Sequence, residues 1–325
     1  MSHCGKQDQS SVIEEQSSAL IMLVLDCTTS LGSQFSSLKI GAKRFVETLV
    51  SSNNGNNGGG GGIIVAPEGA VKGLFSVSSN NAVYFSKGNL QYQASTHTWR
   101  FAEHQYDYVG SANNNISSTY SGWIDFFAWG TSGYNHGAVC YQPWSTSQNN
   151  SDYYAYGSEQ SNLYDQSGKA DWGYNAISNG GNQEHLWRTL TIDEWNYLLW
   201  HRNTPSNMRY AKAKVNNVKG LIILPANWDE SYGYLINVNN GSSAFLNNTI
   251  SSASWGAFEE HGAVFLPSAG YISSEYHNSQ GDGCYWSSGI DEDNYITTIE
   301  FWDESFPHFG ARRRYRLPVR LVQDY

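Results

Sequence analysis

The chain reads as an α+β protein: one large domain of short strands, two main helices and long loops, preceded by a brief strand–helix fragment. Three observations predict this. Charged residues make up only 15% of the 325 residues while aromatics reach 14%, and Gly, Ser and Asn fill much of the remainder. A run of Ser, Asn and Gly at 51–62 (SSNNGNNGGGGG) separates a short N-terminal piece from a long remainder. Within that remainder short apolar runs alternate with polar stretches, and only two segments carry helical spacing. Low charge with abundant Trp, Tyr, Gly and Asn suits a loop-heavy fold with special residues at turns and aromatic anchors inside.

Residues 19–26 (ALIMLVLD) form a continuous apolar run ending at a polar turn, the pattern of a buried strand. Phe35, Leu38, Ala42, Phe45, Val46 and Leu49 then recur at helical spacing over 34–50. The organisation is therefore a strand–helix segment at 1–50, a coil-like linker at 51–66 and a domain at 67–325. The domain opens with strand-like runs at 74–77, 82–85 and 89–92. Residues 103–183 lack periodicity, but Trp123, Phe126, Phe127, Trp129, Trp144 and Trp172 predict ordered loops held by aromatic anchors. Thr191-Ile192-Asp193-Glu194 is a capping box, and Trp195, Leu198 and Leu199 supply an apolar face for a helix over 192–202. A hairpin is predicted at 210–215 and 218–224 around Asn216-Asn217, and a second helix at 253–261 closed by Gly262. Strands at 263–266, 296–301 and 319–322 complete the chain.

Several function classes are disfavoured. A net charge of −10 opposes nucleic-acid binding, and the cluster Arg312, Arg313, Arg314 and Arg316 is too short to reverse that. No apolar stretch is long enough for a membrane span, and the polar, acidic opening residues lack a signal-peptide pattern. Cys4, Cys27, Cys140 and Cys284 are scattered, which predicts neither a disulfide framework nor a structural zinc site. The histidines form no HExxH arrangement, and no GxSxG or phosphate-binding loop occurs. No catalytic residue, metal or cofactor is predicted, and a binding protein is expected rather than an enzyme.

The segments WRTLTIDEW (187–195), GLIILP (220–225), HGAVFLPSAGY (261–271), GCYWSSG (283–289) and VRLV (319–322) occur in an order that resembles the Fibrobacter succinogenes major paralogous domain family. That family is similar to formylglycine-generating enzymes, so the resemblance implies a C-type-lectin-like fold. Some relatives resemble the variable proteins of diversity-generating retroelements, whose changeable C-terminal stretch contacts ligand from a rigid scaffold. Here the corresponding stretch begins at the YWSS of 285–288 and ends at VRLV. The resemblance implies ligand contact by Ile290, Asp291, Asp293, Tyr295, Trp302, Phe306, His308, Phe309, Arg312, Arg313 and Tyr315. It also implies a protein or glycan partner on another cell and a setting at a cell surface or virion; the alternatives are an enzyme derived from the formylglycine-generating fold, or a structural tip or stalk component of a surface or phage assembly. Trp302 and Glu304 cannot arise from adenine-directed change of AAC or AAT codons, so either these positions are fixed, or the template differs, or this chain is not diversified. Residues 19–50 resemble the first strand and helix of von Willebrand factor A domains.

Bland readings compete with several of these. Asp26, Thr28 and Ser30 stand where von Willebrand A domains hold metal, yet with no second ligand loop a strand-end turn is expected. The cluster Asp291-Glu292-Asp293-Asn294 lacks EF-hand spacing and is expected to be a solvated turn. Cys284 is expected to be a small filler beside Tyr285 and Trp286. Trp187, Trp195 and Trp286 are expected in the core. The face taken by Trp302, next to Ile299 and Phe301, depends on strand register.

Deleting residues 1–66 is expected to leave one cooperative thermal transition close to that of the full chain, because a Gly-rich linker couples its flanks weakly. Calorimetry of the two proteins checks this; a lost transition would place the domain boundary elsewhere.

Overall fold

The computed structural model describes residues 65–273, 277–278, 281–306 and 308–325. The strand–helix segment at 19–50, the Asp26 triplet and almost all of the linker lie outside the described residues. Residues 65–325 form one compact unit. The architecture is mixed α and β, with several small sheets, two α-helices among the described residues and long ordered loops.

The unit opens with two hairpins. β1 (Ala70–Ser76) pairs antiparallel with β2 (Ala82–Ser86), and the Ser78 hydroxyl accepts from the Asn80 and Asn81 amides to shape the turn between them. β1 starts earlier than its apolar run predicts because a register shift between Ala70 and Leu74 carries the pairing past Gly73. β3 (Leu90–Gln93) pairs with β4 (Thr98–Phe101).

Residues 102–187 hold only short 3-10 turns and a two-residue strand, β5 (Phe127–Ala128). Backbone polar groups buried in such a stretch need partners that regular structure does not supply. Buried side chains provide them. Trp129 Nε1 donates to the Ser287 carbonyl (3.0 Å), while Trp286 Nε1 donates to the Phe127 carbonyl (2.7 Å), so each indole binds the other's segment. Both rings are fully buried. Asn113 Oδ1 accepts from the Asp125 and Phe126 amides, and the Asn179 amide group forms a pair of bonds with the Phe101 backbone. Asp171 accepts from the Gly173 and Thr189 amides and the Thr189 hydroxyl. Of the expected aromatic anchors, Phe127, Trp129 and Trp172 are buried in one cluster with Trp144 packed against it, Phe126 is buried in a smaller one, and Trp123 is only half-buried, with the Arg100 guanidinium over its ring.

β6 (Arg188–Thr189) leads into α1 (Ile192–Asn196), where both halves of the capping box form: the Thr191 hydroxyl accepts from the Glu194 amide, and the Glu194 carboxylate accepts from the Thr191 amide. The helix widens into a π turn at 197–201, and Trp195, Leu198 and Leu199 face the core. β7 (Tyr210–Val215) and β8 (Val218–Ile223) form the predicted hairpin, with Asn216 and Asn217 both at positive φ (45° and 66°). Asn tolerates that region, which a tight two-residue turn requires at both central positions. β9 (Thr249–Ile250) precedes α2 (Ser252–Glu260), capped by the Ser251 hydroxyl. Gly262 follows at φ 86°, where an added Cβ would lie 2.4 Å from Gly73 Cα, so only glycine permits this chain crossing.

β10 (Val264–Pro267) pairs with β8. β11 (Tyr271–Ile272) and β12 (His277–Asn278) form a short pair. β13 (Gly283–Tyr285), β14 (Ile296–Phe301) and β15 (His308–Ala311) make an antiparallel sheet. β16 (Arg316–Leu317) joins β11 to β5, and β17 (Leu321–Asp324) sits between β2 and β6, so the last strand closes on the first hairpin. Among the described residues three large clusters fill the interior, built around Trp129, Trp172 and Trp286; around Phe85, Trp195 and Phe301; and around Trp228, Trp255 and Phe265; a fourth, small one holds Phe126, Ala269 and Ile272. Trp187, Trp195 and Trp286 take the expected core positions. Among the described residues no helix is long and apolar enough to cross a membrane.

Asp125 is fully buried, accepting from Asn113 Nδ2 (2.7 Å) and the Val109 amide (2.7 Å). Burial raises its carboxyl from 3.8 to about 6, against the downward pull of those bonds. Between these values the folded protein holds a proton that the unfolded chain has released. The stabilisation is therefore complete below the ordinary carboxylate value and is lost as pH rises through about 6. Asp125→Asn is expected to flatten the stability profile between about pH 4 and pH 7 by on the order of 3 kcal/mol. Urea denaturation across that range checks it, and an unchanged profile would assign the proton to another group.

Candidate functional site

The alternation of side chains along β14 organises the C-terminal segment. Successive residues point to opposite faces of a strand. Ile299 and Phe301 enter the core cluster that also holds Tyr285, whose ring stacks on Phe301 at 6.2 Å and 10°. Thr298, Glu300 and Trp302 therefore take the other face. Cys284 stands directly opposite Glu300 across β13 and β14, and Gly283 opposite Phe301. A Cβ at 283 would come within 2.1 Å of the Phe301 ring, so glycine is needed for β13 to pass over that ring.

Beyond this face lies a cleft of about 370 Å³. Tyr271 from β11, with Tyr315 and Leu317 at β16, forms part of its lining, and among the described residues Asp282, Gly283, Cys284, Glu300, Trp302 and Ala311 supply the rest. Tyr271 and Tyr315 stack at 6.2 Å and 26°. Glu300 is 9% exposed; its Oε1 accepts from the Cys284 thiol (3.4 Å) and the Thr298 hydroxyl (3.1 Å). Among the described residues no lysine or arginine pairs with it. Burial raises the Glu300 carboxyl and Asp282 raises it further, while the bonds from Cys284 and Thr298 pull it down. Burial, then the Glu300 charge, pushes the Cys284 thiol well above its ordinary range. Such a thiol is poorly suited to nucleophilic attack, which needs the thiolate. The Tyr271 phenol is also raised, first by burial and then by Glu300, Cys284 and Asp282.

The turn carrying Trp302 is fixed from below. Trp302 and Ser305 exchange backbone hydrogen bonds (3.1 and 3.2 Å). The fully buried Lys212 donates from Nζ to the carbonyls of Trp302 (2.6 Å), Ser305 (2.7 Å) and Gly241 (2.6 Å). Burial lowers the Lys212 ammonium to about 8, against the opposing pull of Asp303 and Glu304. Asp303 pairs with Lys219 (2.7 Å) and accepts from the Phe245 amide (2.9 Å).

The structure separates the residues named from the sequence. Trp302 and Tyr315 meet in the cleft. Ile290, Asp291, Asp293 and Tyr295 occupy the turn before β14. Asp293 is exposed and Tyr295 is 42% exposed, but Ile290 packs against the core and its amide donates to Asn162 Oδ1 (3.0 Å). Asp291 Oδ1 accepts from the Asp293 and Tyr295 amides (3.0 and 2.8 Å), so its carboxylate shapes the turn. Arg312 is exposed. The side chains of His308 and Phe309 lie outside the described residues.

Two expectations require correction. Arg313 is 1% exposed and faces inward: its guanidinium donates to the Asn294 and Glu159 carbonyls (both 2.8 Å) and lies over the Trp129 and Tyr154 rings. Phe306 is half-buried and packs edge-on against Trp200 (4.7 Å), Tyr210 (5.4 Å) and Phe301 (5.9 Å), because its turn folds back over the core. Cys284 is buried as expected, but its thiol lines the cleft and bonds Glu300, so it does more than fill space. Sequence reasoning missed Tyr271, Asp282 and Glu300. The one available signal was a carboxylate at 300 inside the otherwise uncharged strand 296–301. Tyr164, 53% exposed beside Gly289, was missed too.

The fold and the cleft define an α+β protein with an aromatic, acidic candidate ligand site at its C-terminal sheet. Comparison adds no closer identification: no known protein family, curated protein or solved structure matches this chain.

Arg313→Ala leaves two carbonyls without their donor and removes a guanidinium packed on Trp129. It is expected to cost more than about 2 kcal/mol, whereas Arg312→Ala should stay within about 0.5 kcal/mol. Chemical denaturation of both variants measures this, and equal costs would contradict the inward placement of Arg313.

Proposed function

We propose that residues 65–325 form a ligand-binding domain of C-type-lectin-like type, whose C-terminal face recognises a protein or glycan on another cell. The resemblance of its motifs to the Fibrobacter succinogenes major paralogous domain family and to retroelement-diversified proteins supports that reading. The observation that carries it is the meeting of Trp302 and Tyr315 with Tyr271 at one cleft. These residues come from separate segments, held by strand pairing and by the Lys212 ammonium. A site fixed in this way loses little conformational entropy on binding. Aromatic side chains give it large contact area, as at hot spots of other interfaces.

Nucleophilic catalysis by Cys284 is disfavoured, because a buried thiol bonded to a carboxyl is poorly disposed to form a thiolate. The domain is expected to act at a cell surface or virion, with the stretch 285–322 as its changeable portion.

Binding of the purified protein to a panel of bacterial cells and arrayed glycans tests the reading. Trp302→Ala and Tyr315→Ala are each expected to lose about 2 kcal/mol or more of affinity for any ligand found, with the thermal midpoint changed by only a few degrees. Unchanged affinity in both variants would place the ligand elsewhere.

A further inference from the structure

We infer that the cleft formed by Tyr271, Trp302 and Tyr315 takes a compact organic cation, an alkylammonium group, with Glu300 as its counter-ion. This rests on reading the cleft as the ligand site and specifies what that site selects.

A carboxylate removed from water is costly unless it is paired. Glu300 is 9% exposed, and among the described residues it has no cationic partner. Its Oε1 takes both of its hydrogen bonds, from neutral donors. Among the described residues, then, no cation compensates Glu300, and an occupant of the cleft can supply that charge. Asp282, which has a contact of its own, also lines the cleft, and among the described residues the lining contains no Lys, Arg or His that would attract an anion.

The rest of the lining decides which cation fits. Three aromatic side chains around a charge favour a soft, weakly hydrated cation, whose attraction to ring faces adds to its attraction to the carboxylate. A small metal ion instead needs several oxygen ligands at fixed distance, and the described residues contain no group of three potential ligands. A neutral polyol would fill the space yet leave Glu300 uncompensated. The cleft, about 370 Å³, accommodates a choline-sized group or the end of a lysine side chain.

Both sources share the ammonium chemistry, and the experiment separates them. The full chain is titrated with choline, with Nα-acetyl-lysine methylamide and with 3,3-dimethyl-1-butanol, the uncharged carbon analogue of choline. Ligand-observed NMR and tryptophan fluorescence report binding. At least one of the two cations is expected to bind tenfold or more tightly than the neutral analogue; preference for choline points to a headgroup, and for the lysine derivative to a protein. Glu300→Gln keeps an acceptor for Cys284 and Thr298, and is expected to lose at least tenfold affinity for the cation without affecting the neutral analogue. Trp302→Ala is expected to weaken cation binding as well, and circular dichroism verifies that both variants fold.

Equal binding of choline and the neutral analogue, both weakened by Trp302→Ala, would overturn the cation inference and leave the cleft as a ligand site. Unchanged affinity in Glu300→Gln would overturn it too, as would a preference for calcium or zinc ions over either organic cation. If no probe binds, the inference falls alone, provided Trp302→Ala and Tyr315→Ala still abolish cell or glycan binding. If those variants also bind normally, the reading of the cleft falls with it.

Discussion

The reciprocal bonding of Trp129 and Trp286 is the contact on which the domain's order depends. Each indole lies buried and gives its single donor to a carbonyl of the other's segment, Trp129 to Ser287 and Trp286 to Phe127. One segment belongs to a long stretch with almost no regular structure; the other follows β13 at the edge of the cleft. A loop of this length cannot satisfy its own buried backbone, so the fold borrows side-chain donors to do it. Indoles suit the task because each contributes large apolar area along with its one N–H. The Trp129 amide also donates to the Arg313 carbonyl (2.9 Å), and the Arg313 guanidinium lies over the Trp129 ring. Loop, strand and cleft edge are therefore joined at one place.

A division of labour follows along the C-terminal segment. The odd positions Ile299 and Phe301 serve the core, while Glu300 and Trp302 serve the cleft. Polar side chains that look suited to ligand contact often hold the scaffold instead. Arg313 closes two loops, Asp291 shapes the turn before β14, and Asp303 binds the turn after it to Lys219 and Phe245. Lys212, buried beneath Trp302, contributes to the site without reaching it.

Local signals explain how much was legible beforehand. The capping box at Thr191 and Glu194, the positive-φ pair Asn216 and Asn217, and the glycine after α2 depend on residues within a few positions, and they mark α1, the hairpin and the end of α2. The order of the loops was legible from the density of aromatic residues. The cleft was only half legible. Trp302 and Tyr315 stood out in an irregular stretch, but Tyr271 and Cys284 reach them only through the pairings of β11 with β16 and of β13 with β14, which local periodicity does not encode. The inward turn of Arg313 was hidden for the same reason, since one of its acceptors lies at Glu159. Phe306 was misassigned because its core partners, Trp200 and Tyr210, come from elements more than ninety positions away.

The two-faced nature of β14 also limits how this segment can change over evolutionary time. Exchanging one side chain for another on the cleft face leaves Ile299 and Phe301 where the core needs them. Inserting or deleting a single residue within the strand would send the aromatic ring of 301 outward and draw the carboxylate of 300 into the apolar interior, because a one-residue slip inverts every position at once. The segment can thus exchange the cleft-lining side chains of 300 and 302 more readily than it can change length, while Ile296 and Thr298 on the same face are themselves buried.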